Sequence, residues 1–200
     1  MNRFYKTVVC VLKPILKCLF KFEITGADNI KDASKVLLCC NHQSFWDIVI
    51  LMCVCPRQIN FMAKKELFKF APIGFIFKKL GAFPVNRAVG DLTAVKHAEQ
   101  LLNKDEILGI FPEGTRNKLG APQRAKAGAA MLALNTGAGI LPVAIRYSKK
   151  PLIFKKVRIN IGKKMDIADV TCNNTISKTE IKRVTGIIME NITKLWETAI

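Results

Sequence analysis

The stretch Lys35-Val36-Leu37-Leu38-Cys39-Cys40-Asn41-His42-Gln43-Ser44-Phe45-Trp46-Asp47-Ile48-Val49-Ile50-Leu51-Met52-Cys53-Val54 changes character twice. Its first part is a short continuous apolar run that stops at a polar pair, as a strand buried on both faces does. From Phe45 to Val54 the chain is apolar nearly all round, which predicts a buried or membrane-facing helix. Between them lie Asn41 and His42, where a strand hands over to a helix. In open α/β sheets that junction is where ligands and reactive groups are presented.

The same alternation continues outward. Short apolar runs at Phe22–Thr25, Ile59–Ala63, Ala82–Val85, Ile107–Phe111, Ile140–Arg146 and Val157–Gly162 read as strands. A Phe-rich segment from Leu67 to Leu80 is divided by Pro72 and Gly74. Asp91 caps a helix to about Asn103 with Leu92, Val95, Ala98 and Leu102 as its apolar positions, Lys126–Leu134 is helical, and Ser177-Lys178-Thr179-Glu180 is a capping box. That last helix carries the stripe Ile181, Val184, Ile188 and Leu195. Strands alternating with helices predict an α/β fold: a mixed, largely parallel sheet flanked by helices.

With 200 residues, the chain has room for one domain. Half of it is hydrophobic, yet its formal net charge is +17. A greasy and basic chain fits a surface that meets anionic lipid. Nucleic acid attracts the same charge, but no zinc-finger spacing, RNP-type aromatic strand or basic heptad helix is present. The seven cysteines include no CxxC pair and read as small core hydrophobes in a reducing compartment. Ala127–Ile145 carries no charge, but Asn135-Thr136-Gly137-Ala138-Gly139 and Pro142 break it into helix, turn and strand rather than a membrane span.

At about 100° per residue, Arg3, Lys6, Lys13, Lys17 and Lys21 fall within a sector of roughly 80°. Phe4, Val8, Val11, Leu12, Ile15, Leu16 and Leu19 occupy the other faces. Residues 1–22 are therefore expected to form a membrane-associated amphipathic anchor, and residues 23–200 the globular domain. Docking of that helix on the domain's own core is the alternative.

Two histidines narrow the search for a general base. His97 is flanked by Lys96 and Glu99 and should face solvent. His42 is followed five residues later by Asp47, which from the first helical turn can reach back to the imidazole Nδ1, fix its tautomer and stabilise the imidazolium. The same spacing also makes Ser44 to Asp47 a capping box, and spacing alone does not choose between the two. Phe111-Pro112-Glu113-Gly114-Thr115-Arg116 follows another strand. Gly114 permits close backbone approach, Arg116 offers a fork for phosphate, and Glu113 can orient that arginine or an acceptor hydroxyl. Taken alone, the cluster reads first as a charged turn. Gly81 to Arg87 ends a third strand with an arginine.

Together these segments resemble the motif series of the glycerolipid acyltransferases. Asn41 to Asp47 matches that family's NHxxxxD block, Gly81 to Arg87 its glycine-to-arginine block, Phe111 to Arg116 its FPEGTR block, and Leu141-Pro142-Val143 its proline block. Asn117 and Pro84 depart mildly from the pattern. The resemblance implies transfer of a fatty acyl group from a thioester to the free sn-2 hydroxyl of 1-acyl-sn-glycerol 3-phosphate, giving phosphatidate. In that scheme His42 is the base and Asp47 its orienter, while Arg87, Glu113, Gly114, Thr115, Arg116 and Lys126 bind substrate. It also implies no metal or resident cofactor, acyl-CoA or acyl carrier protein as co-substrate, a lysophospholipid acceptor, and a place on the cytoplasmic face of the bilayer. The competing expectations are a same-fold enzyme acting on glycerol phosphate or another lysolipid, and a non-enzymatic basic module binding membrane or nucleic acid.

Overall fold

The computed structural model describes residues 1–31, 33–86, 91–117, 120–148, 155–171 and 176–199. In chain order the elements are α1 (Arg3–Leu19), β1 (Phe20–Thr25), β2 (Val36–Cys40), α2 (Trp46–Val54), β3 (Ile59–Lys64), α3 (Ala71–Lys79) and β4 (Ala82–Val85). They are followed by α4 (Leu92–Asn103), β5 (Ile107–Ile110), α5 (Gly128–Thr136), β6 (Gly139–Tyr147), β7 (Lys155–Ile161), α6 (Ile167–Val170) and α7 (Lys178–Glu197). Among the described residues seven strands form one sheet in the order β1-β7-β6-β2-β5-β3-β4. All neighbours pair parallel except β6 and β7. The expected mixed, largely parallel sheet flanked by helices is what forms.

Period-two alternation sends each strand's side chains to two separate cores. Val36, Leu38 and Cys40 of β2 join Leu141, Val143, Ile145 and Tyr147 of β6 on the face covered by α1 and α2. Leu37, Cys39, Leu108 and Ile140 point the other way, against Ala98 and Leu102 of α4, Ala129 and Ala133 of α5, and Val184, Ile188 and Ile192 of α7. Each fully buried aliphatic side chain contributes about 1.5–3 kcal/mol of transfer free energy. A strand interior on both faces therefore anchors the loop that leaves its end.

Helix α1 divides its apolar surface in two. Tyr5, Val9 and Leu16 are buried in the α2 side core, with Leu12 and Leu19 packed against it. Phe4, Val11 and Ile15 lie along the adjoining ridge and remain exposed. The Asn2 side chain caps the helix by accepting from the Tyr5 N–H, and its amide donates to the Lys79 carbonyl at the end of α3. The two helices are thereby neighbours, and α3 with its approach also exposes Phe70, Ile73, Phe75 and Ile76. Among the described residues no helix is long and apolar enough to cross a membrane.

Several boundaries differ from the sequence reading. Strand β1 starts at Phe20 and follows α1 directly, so the expected boundary after residue 22 falls inside a strand. Phe20 is buried and meets Trp46 edge-on at 5.5 Å, which draws the chain into the sheet early. Helix α5 starts at Gly128 rather than Lys126. On α4 the buried positions are Ala94, Ala98 and Leu102, while Leu92 is exposed because Asp91 caps the helix one residue before it. Cys39, Cys40, Cys53 and Cys55 are buried as expected, but Cys10 and Cys18 are exposed on α1. Cys172 lies outside the described residues.

Candidate active site

The loop carrying His42 leaves β2 at its carboxyl end, between β5 and β6. Asn41 fixes its start. The Asn41 amide donates to the Ile145 carbonyl at 2.9 Å, and its Oδ1 accepts from the Ile145 N–H at 2.8 Å, which extends the ladder to β6 through a side chain. The backbone of His42 is clamped from the next loop, donating its N–H to Glu113 Oε1 at 3.0 Å and accepting from the Asn117 N–H at 2.7 Å. The imidazole thus hangs from a backbone held on both sides.

His42 Nδ1 lies 2.9 Å from Asp47 Oδ2. Asp47 is fully buried in the first turn of α2, and the same oxygen accepts the backbone N–H groups of Gln43 at 2.7 Å and Ser44 at 2.8 Å. Its other oxygen accepts the Tyr147 hydroxyl at 2.6 Å. The capping and imidazole-orienting readings of this spacing are therefore not alternatives. One carboxylate satisfies the loop amides and the ring together, and a buried charge needs that number of partners. With Nδ1 engaged, Nε2 is the nitrogen left for proton transfer.

Phe111 lies under the imidazole, with ring centroids 3.9 Å apart and planes 17° from parallel, and Phe61 stacks on Phe111 at 6.0 Å. That column passes over Gly109, where a Cβ would come within 2.3 Å of Phe61 Cε1. Beside it opens a cleft of about 200 Å³ lined by His42, Met62, Val85, Phe111, Gly114 and Lys126. Its apolar walls suit a hydrocarbon chain, and His42 and Lys126 supply its polar points.

Glu113 is buried. Its Oε1 accepts from the His42 N–H, and the Gln123 backbone is the second group that steadies the carboxyl. Burial pushes this carboxyl above the usual carboxylate range, partly offset by backbone hydrogen bonds from His42 and Gln123. Gly114 adopts φ +74°, turning the chain so that the Lys126 side chain passes 3.1 Å from where a Cβ would sit.

Of the residues singled out in the sequence, His42, Asp47, Glu113, Gly114 and Lys126 come together here. Thr115 and Arg116 are exposed on the same loop, and Glu113 engages the His42 backbone rather than serving only to orient that arginine. Arg87 lies outside the described residues. His97 is exposed on α4, as its flanking charges indicated. Tyr147 and the stacking role of Phe111 were not foreseen. Both depend on register between strands distant in sequence, which no local pattern encodes. Among the described residues no three His, Cys, Asp or Glu side chains group as metal ligands.

Comparison with known proteins gives a consistent picture. The acyltransferase family model matches residues 21–146. The chain is 33% identical over 195 residues to 1-acyl-sn-glycerol-3-phosphate acyltransferase of Bacillus subtilis, covering 96% of each chain. It is 32% identical over 191 residues to the protein of the same name from Borreliella burgdorferi, covering 89% of this chain and 72% of that one. The crystal structure of the 1-acyl-sn-glycerophosphate (LPA) acyltransferase PlsC from Thermotoga maritima superposes with a TM-score of 0.74 at 26% identity, covering 96% of this chain and 79% of that one.

Proposed function

Because the chain belongs to the acyltransferase family, we propose that it esterifies the sn-2 hydroxyl of 1-acyl-sn-glycerol 3-phosphate with a fatty acyl group from a thioester, forming phosphatidate. The observation that carries the mechanism is the buried His42–Asp47 pair beside an apolar cleft. His42 Nε2 takes the acceptor hydroxyl's proton as that oxygen attacks the thioester carbonyl. The tetrahedral intermediate then collapses, the carbon–sulfur bond breaks, and the imidazolium returns its proton to the departing thiolate. General-base catalysis of this kind contributes about 10²–10⁴-fold, and orientation within the cleft supplies much of the remainder.

Asp47 fixes the imidazole and balances its positive charge in the transition state. Glu113 holds the His42 backbone in place, and the exposed Arg116 and Lys126 offer cationic partners to the acceptor phosphate. Arg87 is assigned to the same phosphate by its motif. The donor is an acyl-CoA or acyl carrier protein thioester acting as co-substrate, with no resident cofactor.

The acceptor is a lipid, so the enzyme must meet a bilayer. The exposed ridge Phe4, Val11 and Ile15 on α1 and the exposed Phe70, Phe75 and Ile76 at α3 support peripheral or monotopic insertion. The basic sector of α1 flanks that ridge and suits anionic headgroups at the cytoplasmic face. Purified protein on vesicles, offered labelled lysophosphatidate, lysophosphatidylethanolamine or glycerol 3-phosphate with acyl-CoA and acyl carrier protein donors, tests this assignment. Phosphatidate formed from lysophosphatidate is expected; acylation of another acceptor in preference would reassign the substrate within the family.

A further inference from the structure

Asp47 has two oxygens, and the mechanism so far uses one. Oδ2 receives His42 Nδ1 and the two loop amides, while Oδ1 receives the hydroxyl of Tyr147, from the far end of β6, at 2.6 Å. Among the described residues no second donor reaches Oδ1. Tyr147 is 6% exposed and lies behind Asp47, not among the residues lining the cleft. Its ring is held in turn by Phe20, which approaches it edge-on at 6.4 Å. Strand β6 therefore reaches the reacting nitrogen through a relay of hydroxyl, carboxylate and imidazole.

Taking the His42–Asp47 base as the premise, we propose that Tyr147 is a positioning residue for acyl transfer, whose hydroxyl sets the rotation and charge distribution of Asp47 and thereby the proton affinity of His42. A planar carboxylate pinned at both oxygens cannot turn about its Cβ–Cγ bond without losing a bond at one end. Donation into Oδ1 also draws negative charge away from Oδ2, which moderates its hold on an imidazolium. The phenol is fitted to remain a donor, because burial and the adjoining Asp47 charge push its ionisation upward. The other ionisable or polar groups facing the pair are the Cys40 thiol from β2, the Ser44 hydroxyl and Glu113. The Ser44 hydroxyl also hydrogen-bonds the Tyr147 oxygen, so Ser44→Ala, measured beside Tyr147→Phe, separates its share of the effect.

The test measures kcat, KM and the pH dependence of kcat/KM on vesicles for Tyr147→Phe, Asp47→Ala and the double variant. Tyr147→Phe should lower kcat about ten- to hundredfold, because a carboxylate free to turn lets the imidazole leave its reacting orientation, with both KM values unchanged. Its acidic limb should move to higher pH, because an uncompensated Asp47 holds the imidazole proton more firmly. Combined with Asp47→Ala it should add no further loss, since Tyr147 acts through that carboxylate. A fluorinated tyrosine at position 147 keeps the shape and strengthens the donor, and it should move the acidic limb to lower pH. This variant also decides the matter if Tyr147→Phe folds poorly. Unchanged kcat and pH profile in Tyr147→Phe beside a crippled Asp47→Ala would overturn the role of Tyr147 alone. Equal losses with and without Asp47 would reduce it to packing, an unmoved limb with fluorotyrosine would count against it, and normal turnover in Asp47→Ala would overturn the pair itself.

Discussion

Replacing Asp47 by Asn isolates charge from geometry. In the wild type Oδ2 accepts from His42 Nδ1 and from the Gln43 and Ser44 amides, whereas Oδ1 accepts from the Tyr147 hydroxyl. An asparagine satisfies this set in one orientation, with its carbonyl oxygen at the Oδ2 position and its amide donating to a Tyr147 hydroxyl rotated to accept. The imidazole tautomer is then kept, and the negative charge facing the imidazolium is lost. With the charges about 4 Å apart and an effective dielectric of about 20, Coulomb's law assigns about 4 kcal/mol to that attraction. If it is realised in the transition state, kcat should fall about 10³-fold. Melting temperature, vesicle binding and single-turnover rate should be measured on the same preparation. A kcat within about threefold of wild type, in a protein with normal stability, would refute the assignment of Asp47 as the charge partner of His42.

Three other consequences follow from packing and charge. Gly109→Ala places a methyl 2.3 Å from Phe61 Cε1 and 2.8 Å from Ile59 Cγ2. Such overpacking costs about 1–3 kcal/mol, a drop of roughly 2–12 °C in Tm at this chain length, and kcat should fall too because Phe61 bears on the Phe111–His42 stack; wild-type Tm and kcat would show that the column does not transmit strain. The raised folded-state value of Glu113 means that its share of stability is full below its unfolded value near 4.5 and is lost as pH rises through the higher folded value. Wild-type Tm should decline across that window relative to Glu113→Gln, and parallel Tm–pH curves would contradict the elevation. Phe4→Ser, Val11→Ser and Ile15→Ser together should leave Tm unchanged and weaken vesicle partition at least about a hundredfold, given about 1.5 kcal/mol or more per inserted side chain; undiminished partition would place the membrane contact elsewhere.

The sheet was legible because its central strands are short apolar runs that stop at a polar or proline-bearing pair, as at Asn41-His42 after β2 and Pro112-Glu113 after β5. The membrane-span question resolved the same way, since Gly137 takes the left-handed conformation that separates α5 from β6. Element ends were less legible. Phe20 enters the sheet because it packs on Trp46 and Tyr147, contacts formed only once distant strands align. Within the site, His42 and Asp47 are five residues apart and local geometry brought them together on paper as in the fold. Tyr147 is a hundred residues beyond Asp47, and the stacking of Phe111 on His42 needs the parallel pairing of β2 with β5. Helix α1 illustrates a further limit: a helical wheel separates basic from apolar residues, but it does not divide the apolar half into the ridge that packs and the ridge that stays exposed.

The most direct measurement is phosphatidate formation from labelled lysophosphatidate and an acyl thioester on vesicles by wild type and His42→Ala, with Tm and vesicle binding as controls. Robust product is expected from wild type, with a loss of about 10²–10⁴-fold in the variant at unchanged stability and binding. Equal turnover by the two proteins would contradict His42 as the general base and with it the mechanism built on this site.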